Sequence, residues 1–114
     1  MTEVLQRRVF SEGEIIFKEG DDATNAFLIQ DGEVEIFRTV DGNRVSLFSM
    51  GKGGLFGEMG LIDNKPRAAG ALAKTKVGVV VVTRGMFQEK MAKCDPFIKA
   101  LLNIFVDTIR RVQK

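Results

Sequence analysis

A chain of 114 residues, 45% of them apolar, is long enough for one domain that buries roughly two thirds of its unfolded surface, so its core needs neither metal nor disulfide. Seventeen basic against fifteen acidic residues leave a formal +2 with no run of like charge, which gives no electrostatic reason for a nucleic-acid partner; the one cysteine, Cys94, cannot form an internal bridge. Histidine is absent, which removes histidine-held metals, Ser-His and Cys-His nucleophile pairs and any histidine base, and leaves catalysis only carboxylates and lysines.

The N-terminal MTEVLQRRVF lacks the apolar core of a signal peptide. The most hydrophobic stretch, VGVVVV, has the length of a strand, far short of the ~20 residues that span a bilayer, so a cytoplasmic setting without membrane contact is expected. EIIFKEG (14–20) reads as a short strand closed by Gly20-Asp21. Residues 26–50 hold three β runs separated by Asp31-Gly32 and Asp41-Gly42, dipeptides that favour tight hairpins because both positions tolerate positive φ. In the middle run Val34, Ile36 and Arg38 oppose Glu33, Glu35 and Phe37, an imperfect alternation expected of a strand with one face in a core. RAAGALA and KVGVVVVT supply two more strands, for seven or eight at close spacing, which predicts an antiparallel sandwich or barrel.

Two helices follow. Thr83 is a plausible N-cap for RGMFQEKMAK, and Asp95 with Pro96 at the first helical position caps the last helix. From Phe97 to Val112 the apolar residues cover an arc of roughly 240°, whereas one barrel wall needs a stripe of about 100°. The helix therefore either meets a second partner or is wedged deep between the barrel and the short helices. Arg110, Arg111 and Lys114 complement its C-terminal dipole.

Residues 56–70, FGEMGLIDNKPRAAG, combine Glu58 beside Gly57 with Arg67 nine positions later, among small and apolar neighbours. A helix start at a glycine exposes backbone N–H groups and lets an anion approach. The planar fork of Arg67 suits a phosphate, and Glu58 suits a sugar hydroxyl. One phosphate and one ribose hydroxyl in an apolar pocket describe a cyclic nucleotide better than ATP. The plain alternative is a Glu58–Arg67 ion pair across a turn, worth under about 1 kcal/mol. Ala68, Ala69 and Gly70 argue against it, because they leave room beside the arginine that such a pair does not require.

These residues resemble the cyclic-nucleotide-binding domains of bacterial cyclic-AMP receptor proteins and protein kinase A regulatory subunits, whose phosphate-binding cassette runs F-G-E-[LIM]-[AG]-L-[IL], a spacer, then R-[ASTC]-A. Phe56-Gly57-Glu58-Met59-Gly60-Leu61-Ile62 and Pro66-Arg67-Ala68-Ala69 match it. Upstream, Phe10, Gly13 and Ile16, then Gly20-Asp21, then Phe27, Ile29, Gly32, Val34 and Ile36 match the rest of the pattern, so the likeness runs from about residue 8 to 112. It implies a mainly β fold with flanking helices in a single domain, 1–114. This is an eight-stranded antiparallel β-roll, a jelly-roll-like barrel, over about 8–83, with a short cassette helix and two C-terminal helices over about 84–113.

The resemblance also implies roles. Glu58 binds the ribose 2′-hydroxyl, Arg67 the cyclic phosphate, and the N–H groups of Gly57 and Glu58 add to it. Phe56, Met59, Ala68 and Ala69 complete the cassette, while Ile36, Leu47 and Met50 line the base pocket. Ala68 lacks the hydroxyl that many cyclic-GMP-selective members carry, which favours cyclic AMP. Arg110, Arg111 and Gln113 are the candidates to cap the purine. Gly54 stands where an acid is common, which predicts a looser loop into the cassette, and Gly70 where a larger residue is usual.

The expected function is a regulatory sensor, not an enzyme, with no cofactor, that signals through its last helix to a second copy or an effector. The alternatives are a cyclic-GMP binder, a ligand-free interaction module with a vestigial pocket, and a β-barrel enzyme with a carboxylate base.

Overall fold

Two four-stranded antiparallel sheets enclose a layer of phenylalanine and aliphatic side chains. The computed structural model describes residues 5–112. Its strands are β1 (Gln6–Phe10), β2 (Ile15–Phe17), β3 (Asn25–Asp31), β4 (Val34–Val40), β5 (Asn43–Met50), β6 (Leu55–Phe56), β7 (Gly70–Ala73) and β8 (Val77–Thr83). Helix α1 (Met59–Asp63) interrupts them before β7, and α2 (Arg84–Ala92) and α3 (Pro96–Val112) follow. One sheet has the order β1-β8-β3-β6, the other β2-β7-β4-β5. The expected β-roll is therefore present as two packed sheets rather than as a closed barrel.

Strand alternation explains the core. Val77, Val79 and Val81 of β8 and Phe27 and Ile29 of β3 face Val34, Ile36, Ala71 and Ala73 from the other sheet, and all are buried. Each large side chain so buried contributes about 1.5–3 kcal/mol. Phe27 stacks on Phe56 with ring centroids 5.2 Å apart, and Phe17 lies 6.0 Å from Phe56, so an aromatic cluster closes one region of the core. The β4–β5 hairpin turns through Asp41 (φ 53°) and Gly42 (φ 79°), both in the left-handed region that the Asp-Gly pair tolerates.

The imperfect alternation of β4 has two causes. Phe37 leaves the Ile36 face and is buried against Gly70, its cross-strand partner; a Cβ at 70 would lie 2.5 Å from Phe37 Cζ. The ring thus occupies the space that a larger residue at 70 would take. Opposite it, Ile36 pairs with Phe48 but Phe37 pairs with Ser46, so Leu47 is an extra residue, a β-bulge in β5.

Both helix caps form as expected: the Thr83 hydroxyl accepts from Met86 N–H at 3.2 Å, and Asp95 Oδ1 accepts from Phe97 N–H at 2.8 Å. Helix α3 is not wedged deep. Val106 is its one fully buried residue, whereas Phe97, Ile104, Phe105 and Val112 are more than half exposed. Among the described residues no helix is long and apolar enough to cross a membrane.

The Phe37–Gly70 fit gives a stability test. Gly70→Ala should destabilise the chain by about 1–3 kcal/mol through overpacking. Combining it with Phe37→Leu should recover part of that loss in urea denaturation; strictly additive effects would show that the ring is not what fills the space.

Candidate functional site

Arg67 is the most deeply buried charged side chain described, 6% exposed. It lies in the segment before β7 instead of opening that strand, and its backbone is fixed there: Arg67 N–H donates to Asp21 O at 2.8 Å, and Gly20 N–H donates to Arg67 O at 2.9 Å. Its terminal nitrogens donate to main-chain carbonyls, Nη1 to Gly57 O at 2.5 Å and Nη2 to Asn25 O at 2.7 Å. The guanidinium lies over the Phe17 ring, 4.0 Å from its centroid. Burial lowers its pKa, opposed by the charges of Asp21 and Glu58, yet a guanidinium stays protonated.

Gly57 makes this geometry possible. Its φ is 81°, and a Cβ there would stand 2.8 Å from Arg67 Nη1 and 3.2 Å from the Phe17 ring. Glu58 follows as the N-cap residue of α1, but its side chain does not cap the helix. Burial raises the Glu58 pKa above its ordinary value, opposed by its own backbone N–H and by Arg67. Glu58 Oε2 and Arg67 Nε are both buried without a hydrogen-bond partner. The two charges do not satisfy one another, so the plain ion pair across a turn is not what this segment builds.

Both groups line a cavity of about 180 Å³. Of the residues singled out in the sequence, Gly57, Glu58, Met59, Arg67, Ala68 and Ala69 line it from the cassette, and Ile36, Met50 and Phe56 from the strands. Leu47 does not: the bulge takes it out of register, and it is 40% exposed away from the cavity. Phe48 lines the wall instead. The signal was available in the sequence, because Leu47 and Met50 are three apart and cannot share one face of a regular strand, whereas Phe48 and Met50 can. Phe17, Leu55, Gly60 and Ile109 also line the cavity and were not anticipated.

The loop into the cassette is not loosened by Gly54. Ile29 N–H donates to Gly54 O and Gly53 N–H to Ile29 O, each at 2.9 Å, and a Cβ at 54 would meet Met50 at 2.9 Å.

A family profile described as "Cyclic nucleotide-binding domain" matches residues 7–94. The chain belongs to this family. It is 30% identical over 99 residues to a cAMP-dependent protein kinase regulatory subunit of Pyricularia oryzae, covering 87% of this chain and 25% of that protein. It is 30% identical over 112 residues to a CRP-like cAMP-activated global transcriptional regulator of Mycobacterium tuberculosis, covering 97% of this chain and 50% of that one. Among solved structures, the cAMP-bound form of the EAL enzyme Bd1971 superposes with a TM-score of 0.89 at 34% identity over 93% of this chain and 28% of that one; its cGMP-bound form gives 0.90. The chain thus spans a quarter to a half of the length of these relatives.

In this cyclic nucleotide-binding domain both C-terminal helices grip the end of the cassette helix. Arg84 at the start of α2 donates from Nη1 to Asn64 Oδ1 at 2.7 Å and from Nη2 to Ala23 O. Arg110 of α3 donates from Nε and Nη2 to the two carboxylate oxygens of Asp63, the second at 3.0 Å, with only 16% and 14% of the two side chains exposed. Arg110 is therefore committed to the cassette helix, and Arg111 pairs with Asp107 at 2.7 Å on the exposed side of α3. Neither lines the cavity; Ile109 does. Gln113 lies outside the described residues.

The Glu58 pKa shift yields a signed expectation. With its folded pKa raised, Glu58 favours folding below its ordinary value of 4.5 and loses that contribution as pH rises through the folded value. Glu58→Gln should raise the ligand-free melting temperature near neutral pH and leave it little changed below 4.5. Equal shifts in both conditions would show that the carboxyl's titration is not the cause.

Proposed function

We propose that this chain is a cyclic-nucleotide sensor that prefers cyclic AMP and passes occupancy to α3. One observation carries the reading: a buried cationic donor, Arg67 Nε–H, and a buried anionic acceptor, Glu58 Oε2, both lack partners and line one apolar cavity. The ligand that complements them has a single negative charge and a hydroxyl donor close together. A cyclic 3′,5′-nucleotide has both, in its phosphodiester and its 2′-hydroxyl. Arg67 supplies a charge-assisted bond to the phosphate, and Glu58 accepts from the ribose. A triphosphate would meet Glu58 as a like charge.

The preference for cyclic AMP rests on Ala68, which offers no hydroxyl to a guanine, and on the names of the relatives. Cyclic GMP is the second reading, because a solved neighbour is described with each nucleotide bound. Transmission follows from two contacts of α3: Ile109 on the cavity and Arg110 on Asp63 of the cassette helix. A ligand that favours one placement of α3 alters what its exposed apolar face, with Phe97, Ile104 and Phe105, offers to a second copy or to an effector segment.

Saturating cyclic AMP at about 100 times its Kd should stabilise the fold by ~2.7 kcal/mol in a thermal-shift assay. Arg67→Lys keeps the charge but not the fork, and should weaken binding by at least about tenfold in calorimetric titration. If neither cyclic AMP nor cyclic GMP shifts the melting temperature, the sensor reading fails. For transmission, cyclic AMP should increase amide protection along α3 in the wild-type chain and much less in Asp63→Asn. Identical protection in both would separate α3 from the site.

A further inference from the structure

We propose that β5 is a self-association edge: two copies of this chain pair antiparallel along it about a two-fold axis and join two four-stranded sheets into one of eight strands. Such pairing requires no nucleotide and is independent of the cyclic-nucleotide reading above.

Among the described residues four strands end the two sheets, and three of them are poor templates for a further strand. β2 has three residues, β6 has two, and β1 has five, of which Arg7 and Arg8 are charged. β5 has eight residues, with Arg44 as its one charge and no proline. Residues 43–49 are all exposed, and Val45, Leu47 and Phe48 are 44%, 40% and 48% accessible to solvent. A long edge with apolar side chains and little charge presents backbone N–H and C=O groups that another extended strand satisfies.

The bulge makes a second copy the fitting strand. When a strand of eight residues pairs with its own copy over its whole length, first residue against last, opposed residues are an odd number of positions apart. In an unbroken strand they would face opposite ways. The extra residue Leu47 brings them into phase. Val45 and Phe48 pair with Arg38 and Ile36, two apart on β4, and so share one face; Arg44 and Ser49 pair with Thr39 and Glu35, four apart, and share the other. About an axis between Ser46 and Leu47, Val45 then meets Phe48 of the second copy, Arg44 meets Ser49, and Asn43 meets Met50. Apolar meets apolar and no like charges are opposed. Just beyond the strand, the exposed Asp41 and Lys52 come opposite one another at both ends. A two-fold contact needs this self-complementarity, in which each residue's partner is met again on the other side of the axis.

Sedimentation equilibrium of the nucleotide-free chain should show monomers and dimers exchanging at or below about 1 mM. Leu47→Lys sets two ammonium groups beside the axis and should raise the dimer Kd by about tenfold or more. Because Leu47 is 40% exposed at a bulge, this variant should melt as wild type, which separates lost pairing from lost folding. Ser49→Glu should tighten the dimer by about two- to thirtyfold, since the new pair with Arg44 occurs twice. The same substitution in the Arg44→Glu background should weaken it. Lys74, 3.3 Å from Ser49 Oγ, is common to both backgrounds and cannot reverse the sign. A chain monomeric at that concentration, a Ser49→Glu effect of one sign in both backgrounds, or a dimer indifferent to Leu47→Lys and so held by another face such as α3, would each overturn the pairing. None of these results touches the nucleotide reading.

Discussion

A guanidinium taken out of water must be given partners or the fold does not tolerate it, and Arg67 shows how this one is accommodated. Its partners come from distant parts of the chain: the Phe17 ring from β2, the Asn25 carbonyl from β3 and the Gly57 carbonyl from the cassette turn. Strands β2 and β3 belong to different sheets, so one side chain ties both sheets to the segment that carries Glu58. The arrangement leaves one guanidinium nitrogen, Nε, without an acceptor. On the proposed reading function and architecture share a residue, and removing its charge would leave the Gly57 and Asn25 carbonyls without these donors as well as the cavity without its cation.

The cassette helix has five residues, too few to hold together by its own hydrogen bonds. It persists because its surroundings fix it. Leu61 is buried with Ala23 and Ala26, Phe87 of α2 packs on that cluster, and Gly60 admits Ala23 so closely that a Cβ would stand 2.2 Å from it. Arg84 and Arg110 then hold the residues at its C-terminal end, where cations also complement the dipole. The conformation of the cassette segment is thereby tied to both C-terminal helices.

What was legible in the sequence was what local chemistry determines. Asp41-Gly42, the Thr83 and Asp95 caps, and the glycine-glutamate-arginine set each follow from residues close in the chain, and the structure places them where the sequence suggested. What was not legible depends on distance or on a single inserted residue. The bulge at Leu47 turns that side chain away from the cavity, and while the two-residue spacing of Phe48 and Met50 pointed to Phe48, the inserted residue itself shows only in the pairing with β4. The turn of α3 that meets the cavity is set by tertiary packing, which presents Ile109 and sends Arg110 to a carboxylate 47 positions earlier. The loop through Gly54 looked loose because its hydrogen bonds to Ile29 cross from a different strand.

The hold of α3 on the rest of the chain is slight: one fully buried residue, Val106, one shielded ion pair, and Ile109 at the cavity. Few buried apolar contacts place an element at the low-stability end of a fold, where a ligand can move it. Full burial of a large apolar side chain is worth about 1.5–3 kcal/mol, so covering the exposed part of Ile109 would contribute roughly 1 kcal/mol. That lies in the usual range of coupling free energies, yet carrying an equilibrium from 1:99 to 99:1 takes about 5.5 kcal/mol. On the proposed reading, ligand contact at Ile109 would therefore bias α3 without committing it. The remainder would fall to whatever covers Phe97, Ile104, Phe105 and Val112, and a full switch would need nucleotide and partner together.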